Sequence, residues 1–469
     1  MKKIKNILFI SNAIQFAERT YPFGKRLEKK GYKIQYATYS KECMNYFKER
    51  GVNATFILDD ILSFNPQHRL NNYLEYYEKK YDIPSMNLLL LGDKNYSRKG
   101  RKNALIGLVQ HFKFWEKYFK TNSIDLIIGG VERFINEVPR AIIKKQGGIH
   151  LSGKVEPLPN TFTISPDHIG RIYLLDKYWE ENQDKLLTKE EREWAENYMK
   201  ETIEKKKGVN LVIIPPAINL DNVKLTVKRF YINFVKEKMK NPYADLLKIA
   251  GELGARSIRK RFTKIFYEKP VEGEKFIYYP LHRATDAAIL VRAPQYANQI
   301  SFIQNISNHL PIRYKLYVKE HPNGAGETSL KELRKLKKMQ NVRLLKPKIS
   351  SHDLIEKADC TITINSNAGW EAMLHQKPVL TFGTAFYDRS GLVYPIRDFY
   401  KFNETLKKAL NSKFDYEKLL KFIVALKKSV RPGNFQFIGK LEKSLYDEKN
   451  LDLVTEGIID HIKEIEKDN

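Results

Sequence analysis

TITINSNAGWEAMLHQKPVLTFGTAFYD, residues Thr361–Asp388, holds a strand, a short polar loop, a helix start and a second strand in one continuous stretch. Cys360–Ile364 alternates β-branched residues and predicts a buried strand, while Asn365–Gly369 is polar and carries a glycine suited to close backbone approach by a ligand. A helix is expected to begin near Gly369 and Trp370. Its unpaired N–H groups and positive dipole end would face whatever lies beyond the strand's carboxyl end, which favours a phosphate. Glu371 falls in the first turn of that expected helix, where a carboxylate can accept two hydrogen bonds from a ribose diol. Pro378–Gly383 reads as the next parallel strand and completes a βαβ unit. An ordinary αβ loop with a dipole-favoured acid explains the same residues, so the decision rests on the rest of the chain.

Two more strand ends carry polar groups. KLYV (Lys315–Val318) reads as a strand that runs into Lys319, Glu320, His321 and Pro322, where the proline stops the strand and holds the imidazole at the edge. FIYYPL (Phe276–Leu281) is another strand, ending in His282, Arg283, Thr285 and Asp286. Open α/β sheets bind ligands beyond the carboxyl ends of their strands.

In this order, Pro-Leu-His with Thr-Asp, then Lys-Glu-His-Pro, then Asn-Ser-Asn-Ala-Gly-Trp-Glu-Ala with Lys-Pro-Val and Ala-Phe-Tyr-Asp, the motifs resemble the capsular polysaccharide biosynthesis family. That family includes Kdo transferases of GT-B architecture that use a CMP-activated sugar. The N-terminal half is similar to the same family more loosely, through DLIIGG (Asp125–Gly130), Val155–Phe162 with its Glu156 and Leu-Pro pair, and Gly170. Two departures stand out: the glycine and aromatic that usually separate the acid from Leu-Pro are missing, and His282 stands where glutamine is common.

The chain has 469 residues, more than one core usually organises, and its 42% hydrophobic content is enough for two. No apolar run approaches the length of a bilayer span; NLLLL (Asn87–Leu91) is too short. The apolar ILFI near the N-terminus is broken early by Asn12, Gln15, Glu18 and Arg19, so a first β-strand is expected there rather than a signal peptide. Cys43 and Cys360 support neither a disulfide framework nor a metal cluster, which fits a reducing cytoplasm. The 82 Lys and Arg against 55 Asp and Glu leave a net charge of +27, which makes nucleic acid, anionic lipid and a sugar nucleotide candidate partners. Because the basic residues are dispersed and no nucleic-acid-binding module is recognisable, no specific nucleic acid is expected. RSIRKRFTKIF sets Arg256, Arg259, Lys260 and Lys264 beside Ile258, Phe262, Ile265 and Phe266. That pattern suits an anionic membrane surface, or simply a solvated basic face.

The expected fold is α/β, with two Rossmann-like domains facing a cleft (GT-B type), a helical insertion and C-terminal helices. Strand, helix, strand is read from Ile7–Ser11, Pro22–Lys30 and Tyr32–Thr38; Lys41–Arg50 and Gly51–Leu58 repeat the theme. The first domain is taken as 1–175 and a helical insertion or bridge as 176–273, with a capping box at Thr188 and Glu191 and helix breaks at Asn241–Pro242 and Gly251–Gly254. The second domain is 274–400, and helices over 401–469 close the chain and are candidates to cross back to the first.

The resemblance implies a cytoplasmic glycosyltransferase, peripheral to the membrane's inner face, with a nucleotide-sugar donor and a glycan or glycolipid acceptor. In it Ser366, Asn367 and Gly369 would cradle the donor phosphate, Lys319 and His321 would offset charge on the leaving phosphate, and Glu371 would fix the ribose, with His282 beside them. The catalytic acid is expected at Glu156, with Glu132 of GGVE as the substitute. No Asp-x-Asp pair lies near these motifs, so neither a metal nor another cofactor is expected. A non-catalytic glycan-binding or export-assembly protein and a nucleic-acid-binding protein are the alternatives from other classes.

Overall fold

NILFIS becomes β1 (Asn6–Ser11), buried from Ile7 onward and flanked on both sides by parallel neighbours. The structure, a computed structural model, describes residues 3–93, 100–130, 133–155, 157–166, 170–206, 246–435 and 446–468. They fall into two compact units, 1–168 with 215–249 and 431–469, and 169–214 with 250–430.

The sheet of the first unit adds β2 (Lys33–Thr38), β3 (Ala54–Phe56), β4 (Leu126–Gly129), β5 (Ile149–Val155) and β6 (Thr161–Ser165). Strands β3, β2, β1, β4 and β5 are parallel in that spatial order, and β6 turns back antiparallel to β5. The flanking helix that pattern placed from Pro22 instead runs Ile14–Lys29, with Pro22 in its interior. Ala17, Phe23 and Leu27 are all buried on its sheet-facing side, so packing outweighs the hydrogen bond that proline removes. Likewise the strand expected over Gly51–Leu58 shrinks to three residues, and Ile57–Ser63 is a helix with Asp59 and Asp60 in its first turn.

The second unit has an all-parallel sheet of β7 (Phe276–Leu281), β8 (Lys315–Glu320), β9 (Val342–Leu345), β10 (Cys360–Thr363), β11 (Val379–Thr381) and β12 (Tyr394–Pro395), in the order β12-β11-β10-β7-β8-β9. Continuous apolar burial such as that of Ile277, Leu316, Val318 and Ile362 is what a sheet covered on both faces requires. Two Rossmann-like sheets are therefore present, the first mainly and the second wholly parallel, as expected from the sequence.

Of the middle block, the helix Lys189–Glu204 opens on the expected capping box: Thr188 Oγ1 accepts from Glu191 N–H at 3.2 Å and the Glu191 carboxylate from Thr188 N–H at 3.1 Å. The helical pattern over 221–245, including the break at Asn241–Pro242, lies outside the described residues. No break occurs at Gly251–Gly254, because one helix runs Leu246–Phe262. Arginine contacts to a neighbouring loop, described below, offset the roughly 1 kcal/mol that each helical glycine costs. The helix Tyr416–Ser429 packs on Tyr173–Asn182 and Lys189–Glu204 within this unit. The chain then rejoins the first sheet, where β13 (Arg431–Pro432) pairs antiparallel with β6 and the helix Glu448–Asp468 lies against Ile14–Lys29.

Candidate functional site

In the second sheet the chain runs β7 to β8 to β9 on one side, then crosses over to β10, β11 and β12 on the other. This makes a topological switch point beside β7, where side chains from adjacent strand ends diverge and leave a crevice. A cavity of about 300 Å³ lies at the carboxyl ends of these strands. Alternation along β7 brings Tyr278, Pro280 and His282 to it, and alternation along β8 brings Lys319 and His321.

Lys319 is inside β8 rather than beyond it, and is only 5% exposed. Its Nζ donates to Ser351 Oγ at 2.7 Å, and Tyr278 Oη donates to the same oxygen at 3.3 Å. Burial pulls the ammonium pKa down to about 8, against the opposing pull of the Glu371 carboxylate. His321 caps the short 3₁₀ turn Pro322–Gly324, its Nδ1 accepting from Asn323 N–H at 3.0 Å. That hydrogen bond leaves Nε2 as the proton-bearing nitrogen of the neutral ring. Burial lowers the His321 pKa, with Asp286 opposing. His282 is held to about 4 by burial above all, so its ring is neutral near pH 7, and among the described residues its Nε2 has no hydrogen-bond partner.

On the β10 side, the helix begins at Asn367, two residues earlier than pattern suggested, and runs to Leu374. Ser366 is its N-cap: Oγ accepts from Ala368 N–H at 2.9 Å, and Ser366 N–H is itself held by Thr363 Oγ1 at 3.0 Å. Glu371 is consequently in the second turn, not the first, and is buried with its side chain on the cavity. Ser366 and Asn367 line the cavity, but Gly369 does not. A Cβ at Gly369 would lie 2.1 Å from Tyr387 Oη, and that hydroxyl donates to Ser366 O at 2.6 Å. The glycine thus admits a buried tyrosine that ties down the loop, and its φ is not positive.

Six of the expected donor-side residues, His282, Lys319, His321, Ser366, Asn367 and Glu371, therefore share one cavity. Ser351, Tyr278, Asn365 and Arg292 are among the residues that also line it without having been singled out. Asn365 sat in plain view in the loop, and Tyr278 shares the two-residue period of His282. Ser351 opens the helix Ser351–Lys357 that follows β9, a position that carried no signal. Glu156 and Glu132 lie outside the described residues. Among the described residues no group of three or more His, Cys, Asp or Glu side chains is arranged to hold a metal ion.

The basic segment also differs from its expected form. Arg256 Nε donates to Ala325 O at 3.1 Å, and Arg259 Nε donates to Gly326 O at 2.9 Å, so two of its five cations serve the loop after His321. Lys260 and Lys264 are exposed. Ile258, Phe262 and Ile265 are 62%, 54% and 67% exposed, whereas Phe266 is buried. Among the described residues no helix is long and apolar enough to cross a membrane.

The polar, cation-bearing cavity thus lies at the switch point of a doubly wound parallel sheet, the position at which open α/β sheets bind ligands. Residues 231–416, which contain that cavity, match the family model of the capsule polysaccharide biosynthesis proteins, the family its motifs resemble. The capsule polysaccharide export protein KpsS of Escherichia coli is 32% identical over 105 residues, a match spanning 21% of this chain and 26% of that protein. Among solved structures, the KpsC β-Kdo 2,4-transferase of Thermosulfurimonas dismutans is similar with 14% identity, over 66% of this chain and 82% of that one, at a TM-score of 0.39. The UDP-GlcNAc 2-epimerase of Neisseria meningitidis is similar with 12% identity, over 97% and 100% of the two chains, at a TM-score of 0.29.

Proposed function

We propose that this protein is a GT-B-type glycosyltransferase of capsule or surface glycolipid biosynthesis that takes a CMP-linked, Kdo-like sugar from its nucleotide donor. The observation that carries this reading is the convergence of Lys319, His321 and the capped helix start at Ser366 and Asn367 on one cavity. A phosphate seated there meets an ammonium, a ring N–H and the positive end of a helix dipole, groups that stabilise the charge growing on a leaving phosphate. Glu371 is left to accept from ribose hydroxyls. Such protein donors make the transfer metal-independent. Glu156, or Glu132 in its place, is the acid or base on the acceptor side. The test is incubation of the protein with a CMP-activated acidic sugar and a glycolipid acceptor in EDTA-containing buffer. Release of CMP with a mass gain on the acceptor is the expected result, and an intact donor with every acceptor tried sinks the reading.

Lys319 gives this reading a pH signature. Its pKa in the free protein is about 8, and a bound phosphate raises it by stabilising the ammonium. Affinity is then at its full value below pH 8 and falls, by at most about tenfold per unit, as pH rises toward the bound-state value. Calorimetric titration of CMP at pH 7 and pH 9 is expected to show weaker binding at pH 9. Lys319→Met is expected to bind more weakly at both and to lose the dependence.

The protein is placed in the cytoplasm, on an anionic membrane surface that meets the outward Ile258, Phe262 and Ile265 beside Lys264. Co-sedimentation with phosphatidylglycerol vesicles, lost in Phe262→Asp, checks that placement; equal sedimentation of the variant rejects it. The name of the Escherichia coli relative favours a second reading, a non-catalytic export-assembly protein, which the same incubation distinguishes because it leaves the donor intact.

A further inference from the structure

His321 sits at the head of a loop whose far end is held by the Arg283–Glu327 ion pair. Gly324, Ala325 and Gly326 are buried, and buried loop carbonyls need donors from somewhere. Gly324 O accepts from Glu327 N–H within the loop at 2.8 Å, whereas the donors to Asn323, Ala325 and Gly326 come from the helix Leu246–Phe262, 67 to 69 residues upstream in the chain. Arg256 is the principal donor: Nε reaches Ala325 O at 3.1 Å, a terminal nitrogen reaches Asn323 O, and the other terminal nitrogen pairs with Glu327 at 3.0 Å. Arg259 adds the bond to Gly326 O at 2.9 Å. The backbones are equally close. A Cβ at Gly326, where φ is +80°, would lie 2.6 Å from Arg256 O, so only glycine lets the helix rest directly on the loop.

One residue links this brace to the cavity. Asn323 receives Arg256 on its carbonyl and donates its N–H to His321 Nδ1 at 3.0 Å. Where Asn323 stands therefore decides which ring nitrogen of His321 carries the proton, and its placement is set by Arg256 and Arg259 together with the 3₁₀ turn. We propose that Arg256 and Arg259 are positioning residues for His321: by pinning the Asn323–Gly326 loop they hold its imidazole in the tautomer protonated on Nε2. The consequence for phosphate binding rests on the nucleotide reading above; the tautomer does not.

Burial and the donated Asn323 N–H act together on His321. A backbone N–H aimed at Nδ1 opposes protonation there, adding to burial, which already lowers the pKa, and to the nearby cations Arg283 and Lys319; Asp286 and Glu327 oppose. Loosening the loop removes the aimed N–H, which frees the ring to take either tautomer and moves its pKa upward.

The test uses full-length protein carrying ¹⁵N-labelled histidine, with the His321 resonances assigned by their loss in His321→Gln. Wild type is expected to show an unprotonated Nδ1 and a protonated Nε2 across neutral pH. In Arg256→Gln/Arg259→Gln the two nitrogens are expected to average toward a mixture, the His321 pKa to rise, and CMP affinity to fall tenfold or more. Should the double variant unfold, Arg259→Gln, which loses only the Gly326 contact, carries the same readout with a smaller shift. A folded variant that keeps the wild-type tautomer and pKa overturns the proposal, whatever its melting temperature. A shifted tautomer in a protein that never binds CMP upholds the positioning role and rejects the nucleotide reading instead.

Discussion

Gly369→Val is expected to lose nucleotide binding altogether and to melt well below wild type. The new Cβ would stand 2.1 Å from Tyr387 Oη and 2.7 Å from its Cζ, inside a helix whose buried face cannot shift independently of β10. Tyr387 must leave, and with it goes the 2.6 Å bond to Ser366 O that fixes the loop carrying Ser366 and Asn367. Overpacking a core costs about 1 to 3 kcal/mol, and stranding the buried Tyr387 hydroxyl about as much again. A loss of roughly 3 to 5 kcal/mol follows. Because the conflict is with one side chain, Gly369→Ala is expected to be milder when combined with Tyr387→Phe than alone, a coupling that a double-mutant cycle reads directly. A Gly369→Val protein that melts like wild type and still binds CMP would show that this contact has been misjudged.

The largest expected effect on turnover belongs to Glu156. It follows Val155, the last residue of β5, and precedes the Pro-Leu-Pro turn that leads into β6. If it is the acid or base of transfer, Glu156→Gln keeps CMP affinity within about twofold and lowers turnover by about 10² to 10⁴, since an amide can neither take nor give the proton. Glu132→Gln is the companion variant. Loss of turnover in Glu132→Gln alone moves the role to the residue after GGV, and normal rates in both place the acid elsewhere. Steady-state kinetics on the two variants separates these outcomes.

What the chain revealed of its second sheet, and what it hid, have physical reasons. β7 was legible to the residue because FIYYPL is apolar, rich in aromatics and closed by His282 and Arg283. The strand ends that build the cavity were legible because polar groups after apolar runs mark the point where a strand leaves the core. Lys319 was expected outside β8 because a lysine inside a parallel strand is costly; only Ser351 and Glu371, brought in by tertiary contacts, make its burial tolerable. Helix starts were shifted for a related reason. Ser366 caps through its own side chain, so the helix begins at Asn367, while the glycine that seemed to mark the start is there for Tyr387, 18 residues on. The roles of Arg256 and Arg259 could not be read from a basic run, because their acceptors are carbonyls, which sequence does not distinguish. In the first unit the parallel strands were legible and the length of the helix through Pro22 was not, since proline is a poor guide where a buried face carries the helix past it.

The central claim is that the cavity at the switch point beside β7 binds the phosphate of a nucleotide. Isothermal titration of CMP, set beside UMP, AMP and GMP, into wild-type protein and His321→Ala addresses it most directly. The expected result is saturable binding of CMP in preference to the others, weakened in His321→Ala by about 1 to 3 kcal/mol with the fold intact. Absence of heat with every nucleotide, or identical CMP binding by wild type and His321→Ala, contradicts it.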